Sequence, residues 1–166
     1  MQRRTILLGL MGLGLAGCGL MGAPKAYRGP KKVTQITVSK SRRKMWLMHN
    51  KRVLRRYNIG LGFAPEGHKK AEGDGRTPEG TYFIDRRNPN SAYHLSLGIS
   101  YPNGNDVAVA KAAGVEPGGD IFIHGRGPRF KRARGDWTWG CIAVTDREMT
   151  EIYSMVQTGT PIVILP

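Results

Sequence analysis

Ile121-Phe122-Ile123-His124-Gly125 and, after a loop, Asp136-Trp137-Thr138-Trp139-Gly140-Cys141-Ile142-Ala143-Val144 form the stretch on which the reading of the fold turns. The first segment is a short apolar run that ends in histidine and glycine, which suits a buried strand opening into a loop. Residues 126–135 are rich in Gly, Pro and basic side chains. The second segment leads into Thr145-Asp146-Arg147-Glu148, a capping box in which the Thr145 hydroxyl takes a backbone N–H and Glu148 reaches back. Met149, Ile152, Tyr153 and Val156 then recur at i, i+3, i+4 and i+7, which predicts a helix with one face on the core. Gly159 ends the connection, and Pro161-Ile162-Val163-Ile164-Leu165 reads as a buried closing strand.

Working outward, the upstream chain is short-strand in character. Val33-Thr34-Gln35-Ile36-Thr37-Val38 is rich in β-branched residues. Arg43 to Met48 and Val53 to Ile59 flank His49-Asn50-Lys51-Arg52, a hairpin turn. Thr81-Tyr82-Phe83-Ile84, His94 to Ile99 and Val107 to Ala110 are further expected strands, with Gly, Pro, Asn and Asp in the gaps. This spacing predicts a mostly β sandwich or barrel with one or more flanking helices. A chain of 166 residues has room for one such domain.

The expected divisions are a signal peptide at 1–17, a tether at 18–32 and the folded domain at 33–166. Arg3 and Arg4 precede a short apolar run from Ile6 to Ala16, the pattern of an export signal. Leu15-Ala16-Gly17-Cys18 resembles a lipoprotein signal box, in which Cys18 would carry lipid. Gln2-Arg3-Arg4-Thr5-Ile6-Leu7 also resembles a twin-arginine export motif. Gly19 after Cys18 favours the outer membrane over retention at the inner one. Met21 to Lys32 is Gly, Pro and Lys rich, as a flexible tether would be.

The chain carries 26 Lys and Arg against 12 Asp and Glu, a net charge of +14. Loss of Arg3 and Arg4 with the signal lowers that by two. Such a surface favours polyanions, but export argues against nucleic acid. Anionic wall polymers, lipid headgroups and carboxylate-rich peptides of the wall are the better partners, and most of the basic face needs none.

There are 2 cysteines. With Cys18 lipidated, Cys141 is the only thiol left, so no intramolecular disulfide can form. A cysteine nucleophile needs a base in reach, a third group to orient that base, and N–H groups aimed at the developing oxyanion. Cys141 follows a glycine in a tight loop, and His124 sits at a strand end where a neighbouring carbonyl could fix its tautomer. The residues alone leave open a buried structural thiol and a satisfied structural histidine. One cysteine and scattered histidines give no metal-ligand spacing.

His124-Gly125 and Thr138-Trp139-Gly140-Cys141 resemble, in order and spacing, the motif of the L,D-transpeptidase catalytic domain (YkuD family), which runs from His-Gly to Ser/Thr-x-Gly-Cys. Glu72 to Tyr82, with its Thr77-Pro78-Glu79-Gly80 turn, and His94 to Asn103 resemble further family segments. The likeness covers roughly Val33 to Leu165. It implies a cell-envelope enzyme acting on peptidoglycan stem peptides, without a cofactor and as a monomer. Cys141 would form a thioester, His124 would be base and then acid, and the Gly125 carbonyl would orient its ring. The N–H groups of Gly140 and Cys141 would form the oxyanion hole. Tyr101, Thr138 and Trp139 would contact substrate, with Trp137 a further wall.

Two positions depart from the common pattern. Trp139 stands where many members have His, and Ala143 where many have an Arg that would suit a substrate carboxylate. The departures resemble a proteobacterial subgroup that includes wall hydrolases. The thioester could pass to an amine, as in an L,D-transpeptidase, or to water, as in an L,D-carboxypeptidase, endopeptidase or amidase. A rival of another class is a non-catalytic, lipid-anchored wall-binding module with Cys141 structural.

Overall fold

The computed structural model describes residues 32–166. The signal peptide, Cys18 and all but the last residue of the tether lie outside the described residues.

Among the described residues the strands are β1 (Gln35–Ser39), β2 (Lys44–His49), β3 (Arg52–Asn58), β4 (Gly80–Asn88), β5 (Ser96–Ile99), β6 (Phe122–His124), β7 (Ile142–Ala143) and β8 (Pro161–Leu165). The helices are α1 (Gly104–Ala112) and α2 (Asp146–Met155). The strands form one sheet in the order β3-β2-β1-β8-β4-β5-β6-β7. Alternation builds it: Ile36 and Val38 of β1, Met45 and Leu47 of β2, and Ile162 and Ile164 of β8 all point into the core. The closing strand lies parallel beside the first, Ile36 against Ile162.

β4 joins two halves. Its first residues, 80–83, pair with β8, and its later ones pair with β5. The register shifts between Ile84 and Arg86, and such an irregularity bends a sheet. The result is a half-barrel with two helices, the mostly β fold expected from the strand spacing. α2 packs on β5 and β6, with Met149 and Ile152 fully buried. Its start is as the sequence predicts: Thr145 Oγ1 accepts the Glu148 N–H at 3.3 Å, and Glu148 Oε2 accepts the Thr145 N–H at 2.9 Å.

One expected strand is a helix. Val107 to Ala110 lies inside α1. The alternating valines suggested a strand, but Asn103 caps the segment. Its side chain accepts the N–H groups of Asn105 and Asp106, and Asp106 returns a bond to the Asn103 N–H. Asp106 is itself buried, where it accepts the Tyr82 hydroxyl at 3.0 Å. Val107 and Val109 face solvent, so their pattern carries no burial information.

Candidate active site

β6 and β7 are parallel neighbours, with His124 opposite Ala143. Cys141 immediately precedes β7, so its side chain and that of His124 open onto one cleft of about 460 Å³. The Phe122 N–H points at Cys141 Sγ from 3.4 Å, and the thiol can donate to the Asp120 carbonyl at 3.5 Å. Burial pushes the thiol up to about 11, against the smaller opposing effect of the Phe122 N–H.

His124 is held from two sides. Its Nδ1 lies 2.5 Å from the Gly125 carbonyl, which can only accept, so the proton is on Nδ1 and the Nε2 lone pair is left for chemistry. Aromatic rings enclose it: the Tyr93 ring is 4.5 Å away between centroids, and the Trp137 ring meets it edge-on at 5.8 Å. Phe130 stacks on both of those rings, at 5.5 Å and 4.7 Å. This dry surround lowers the imidazole below its usual range, and the bond to Gly125 only partly offsets it. Near neutral pH the site therefore rests as neutral thiol and neutral imidazole, not as a preformed ion pair.

The loop that carries Cys141 is clamped by a segment the sequence reading did not single out, Gly60-Leu61-Gly62. Gly60 exchanges two backbone bonds with Ala143, at 2.9 Å and 2.8 Å. The Thr138 N–H donates to the Leu61 carbonyl at 3.1 Å, and Asp136 accepts the Leu61 N–H at 2.9 Å. Arg43 grips the same carboxylate at 2.8 Å. The approach is close enough to demand glycine: a Cβ on residue 62 would stand 1.9 Å from the Gly75 carbonyl oxygen. The paired glycines around Leu61 were the available signal.

The expected substrate contacts divide. Trp139 is 71% exposed and lines the cleft, edge-on to Phe63 at 5.0 Å. Trp137 also lines it. Thr138 lines it too, but its hydroxyl is spent on the loop, donating to the Cys141 carbonyl at 2.8 Å and accepting the Gly140 N–H at 3.2 Å. That bond corrects the role expected of Gly140, whose N–H is already engaged and whose residue is buried. The Cys141 N–H meets no acceptor among the described residues. Tyr101 is likewise corrected. It is buried against Tyr82, its hydroxyl donates to the Pro117 carbonyl, and it does not reach the cleft. Tyr93 and Phe130, which do reach it, were missed because each is a lone aromatic in a loop without periodicity.

The sequence profile of the L,D-transpeptidase catalytic domain (YkuD) matches residues 33–164. A curated relative from Escherichia coli (strain K12), YafK, whose name carries a provisional L,D-transpeptidase assignment, is 32% identical over 103 residues. That match covers 61% of this chain and 34% of the relative, so the chain spans about a third of the relative's length. Among solved structures, the helical cell shape determining protein Pgp2 of Campylobacter jejuni is similar with a TM-score of 0.62 at 26% identity, over 80% of this chain and 47% of that one. Bd1075 of Bdellovibrio bacteriovorus gives 0.54 at 25% identity, over 82% and 52%. An L,D-transpeptidase of Xylanimonas cellulosilytica gives 0.54 at 12% identity, over 86% and 65%, a likeness of fold alone.

Proposed function

The chain belongs to the L,D-transpeptidase catalytic domain family, and on that premise we propose that it is a cell-envelope acyl transferase acting on peptidoglycan stem peptides through a thioester on Cys141. The observation that carries this reading is one cleft that receives both the Cys141 thiol and a histidine whose tautomer the Gly125 carbonyl fixes.

The neutral resting pair sets the order of events. His124 Nε2 takes the thiol proton as Sγ attacks the peptide carbonyl, because a free thiolate is disfavoured before substrate arrives. The imidazolium that forms keeps its Nδ1–H on the Gly125 carbonyl. The Cys141 N–H is the donor available to the oxyanion. Collapse of the tetrahedral intermediate breaks the C–N bond, and His124 gives its proton to the leaving amine. An acceptor amine then attacks the thioester as His124 takes its proton; the new C–N bond forms the cross-link, the C–S bond breaks, and His124 returns the proton to Sγ. Water entering by the same route would release a free carboxylate instead. Cys18 would hold the domain to the membrane by lipid, with the export signal removed.

Intact-mass analysis tests this. The protein and Cys141→Ala are incubated with disaccharide-tetrapeptide and muropeptide dimers. A product or adduct formed by the unsubstituted protein, and reduced about 10³-fold or more in Cys141→Ala, is the expected result. The product mass separates cross-linking from hydrolysis. Equal behaviour of the two proteins would leave the thiol without a chemical role and favour the wall-binding module.

A further inference from the structure

A second pocket, of about 170 Å³, shares Trp137 with the thiol cleft. Arg126, Arg134, Asn58 and Ala143 line it, and among the described residues no carboxylate does. Arg126 Nε is buried there without a hydrogen-bond partner among the described residues. Among the described residues neither guanidinium enters an ion pair. Asp120, Asp136 and Asp146, the acids that flank this loop, are committed elsewhere, Asp120 to Arg86 at 2.8 Å. Asp146 Oδ1 accepts the backbone N–H groups of Arg126 and Gly127 at 2.6 Å and 2.9 Å, which fixes the main chain below the arginine without touching its side chain. Asp136 is held by Arg43 and the Leu61 N–H. The Asn58 side-chain oxygen, Oδ1, accepts from Lys44 Nζ. Natural proteins rarely leave a buried guanidinium N–H unpaired, since it has lost water and gained nothing.

The position of the pocket is as informative as its charge. Ile142 points into the core, whereas Cys141 opens on the cleft and Ala143 on the second pocket. Their Cα atoms can be no more than about 7 Å apart along the chain. His124 and Arg126 are likewise two residues apart, beside them. A peptide whose carbonyl reaches Sγ therefore has the second pocket within a residue's length. An alanine at 143 leaves the space into which a carboxylate could pass, and a planar guanidinium suits a carboxylate in two-pronged contact.

We infer that the pocket lined by Arg126 and Arg134 is a carboxylate subsite, which receives a free carboxyl group of the stem peptide while its carbonyl is presented to Cys141. The inference rests on the acyl-transfer reading above for the identity of the peptide. Arg126 is a binding residue here: it makes the charge-assisted bond, and Arg134 adds to the field at the mouth.

The test separates binding from turnover. The full chain with Cys141→Ala is titrated calorimetrically with L-Ala-γ-D-Glu-meso-diaminopimelate-D-Ala, once with free carboxyls and once with them as carboxamides. Tenfold or tighter binding of the acid form is expected, falling to within twofold when Arg126→Gln is added. Arg126→Lys should keep part of the preference, and Arg134→Gln should weaken it less than Arg126→Gln. A preference unchanged in Arg126→Gln, or binding of neither form, overturns the subsite. So does competition by inorganic phosphate as strong as that of the acid peptide, which would assign the pocket to free anions. Should Arg126→Gln fail to fold, the lysine and Arg134 variants carry the same comparison. Turnover is scored with Cys141 intact. Turnover without an Arg126-dependent preference sinks the subsite alone, and the preference without turnover sinks the acyl-transfer reading alone.

Discussion

The two ends of the sheet are built in opposite ways. At one end β2 and β3 pair over long antiparallel ladders joined by a turn at Asn50, whose φ is 52°. At the other end β6 has three residues and β7 has two. Two such strands could not hold the Cys141 thiol in place by ladder bonds alone. What holds them is non-local: Gly60 bridges Ala143, the Leu61 backbone is bonded to both Asp136 and Thr138, and the Asp146 carboxylate reaches back to the loop after His124. The hairpin end is stable by local repetition, while the thiol end is a set of close approaches brought from four places in the chain. Precision at a reacting centre comes from the second kind of construction, and so does fragility.

Substituting a clamp glycine should expose that fragility most strongly. Gly62→Ala places a methyl 1.9 Å from the Gly75 carbonyl oxygen, with the Gly140 nitrogen 2.9 Å away. We expect a loss of about 3 kcal/mol in urea unfolding, with the backbone of the Cys141 loop displaced. A stable protein with unchanged thiol reactivity would show that the loop holds its shape without the clamp.

Titration gives the next largest effect. The folded thiol ionises near 11 instead of 9.0, so its favourable burial is fully present below pH 9 and is lost as pH rises from 9 to 11. Relative to Cys141→Ala, the unsubstituted protein should lose about 2 kcal/mol of stability by pH 11. His124 runs the other way: its lowered folded value means that stability falls as pH drops below 6.5. A thiol that alkylates with iodoacetamide at its full rate by pH 7 would contradict the neutral resting pair.

The smallest effect belongs to the hairpin end. Arg55 of β3 meets Glu151 of α2 at 2.5 Å, but the two side chains are 50% and 40% exposed. Arg55→Ala should cost under about 0.5 kcal/mol and leave turnover unchanged, a comparison made by thermal melting at two salt concentrations. A larger loss would mean that the two ends are more strongly coupled than their construction suggests.

Much of the ladder-built part was legible in the sequence because its signals are local. Strand alternation, the turn at Asn50 and the box at Thr145–Glu148 each reside in a few consecutive residues, and each has a physical cause that acts over that range. The same reading failed at Val107–Ala110 because an exposed alternation looks like a strand, while the decisive bonds came from the Asn103 side chain. At the site, the order His124-Gly125 and Gly140-Cys141 marked the candidates, but their neighbours did not announce themselves. Tyr101 looked available and is buried, whereas Tyr93 and Phe130 looked incidental and line the cleft, Tyr93 against the imidazole and Phe130 stacked behind it.

By itself, then, the sequence determined a mostly β chain, its capped last helix, its closing strand and the pair of residues worth testing, since these follow from short-range geometry and from which side chains can do chemistry; that strand, expected to be buried, alternates instead, with Ile162 and Ile164 inside and Leu165 exposed. Only the tertiary structure decided that the Gly140 N–H is already bonded and that the Gly60–Gly62 segment grips the thiol loop. It alone showed that, among the described residues, Arg126 Nε is buried beside Ala143 without a hydrogen-bond partner. Those facts depend on which atoms meet across the fold, and contacts between residues as distant as 62 and 140 are selected by packing, not by spacing along the chain.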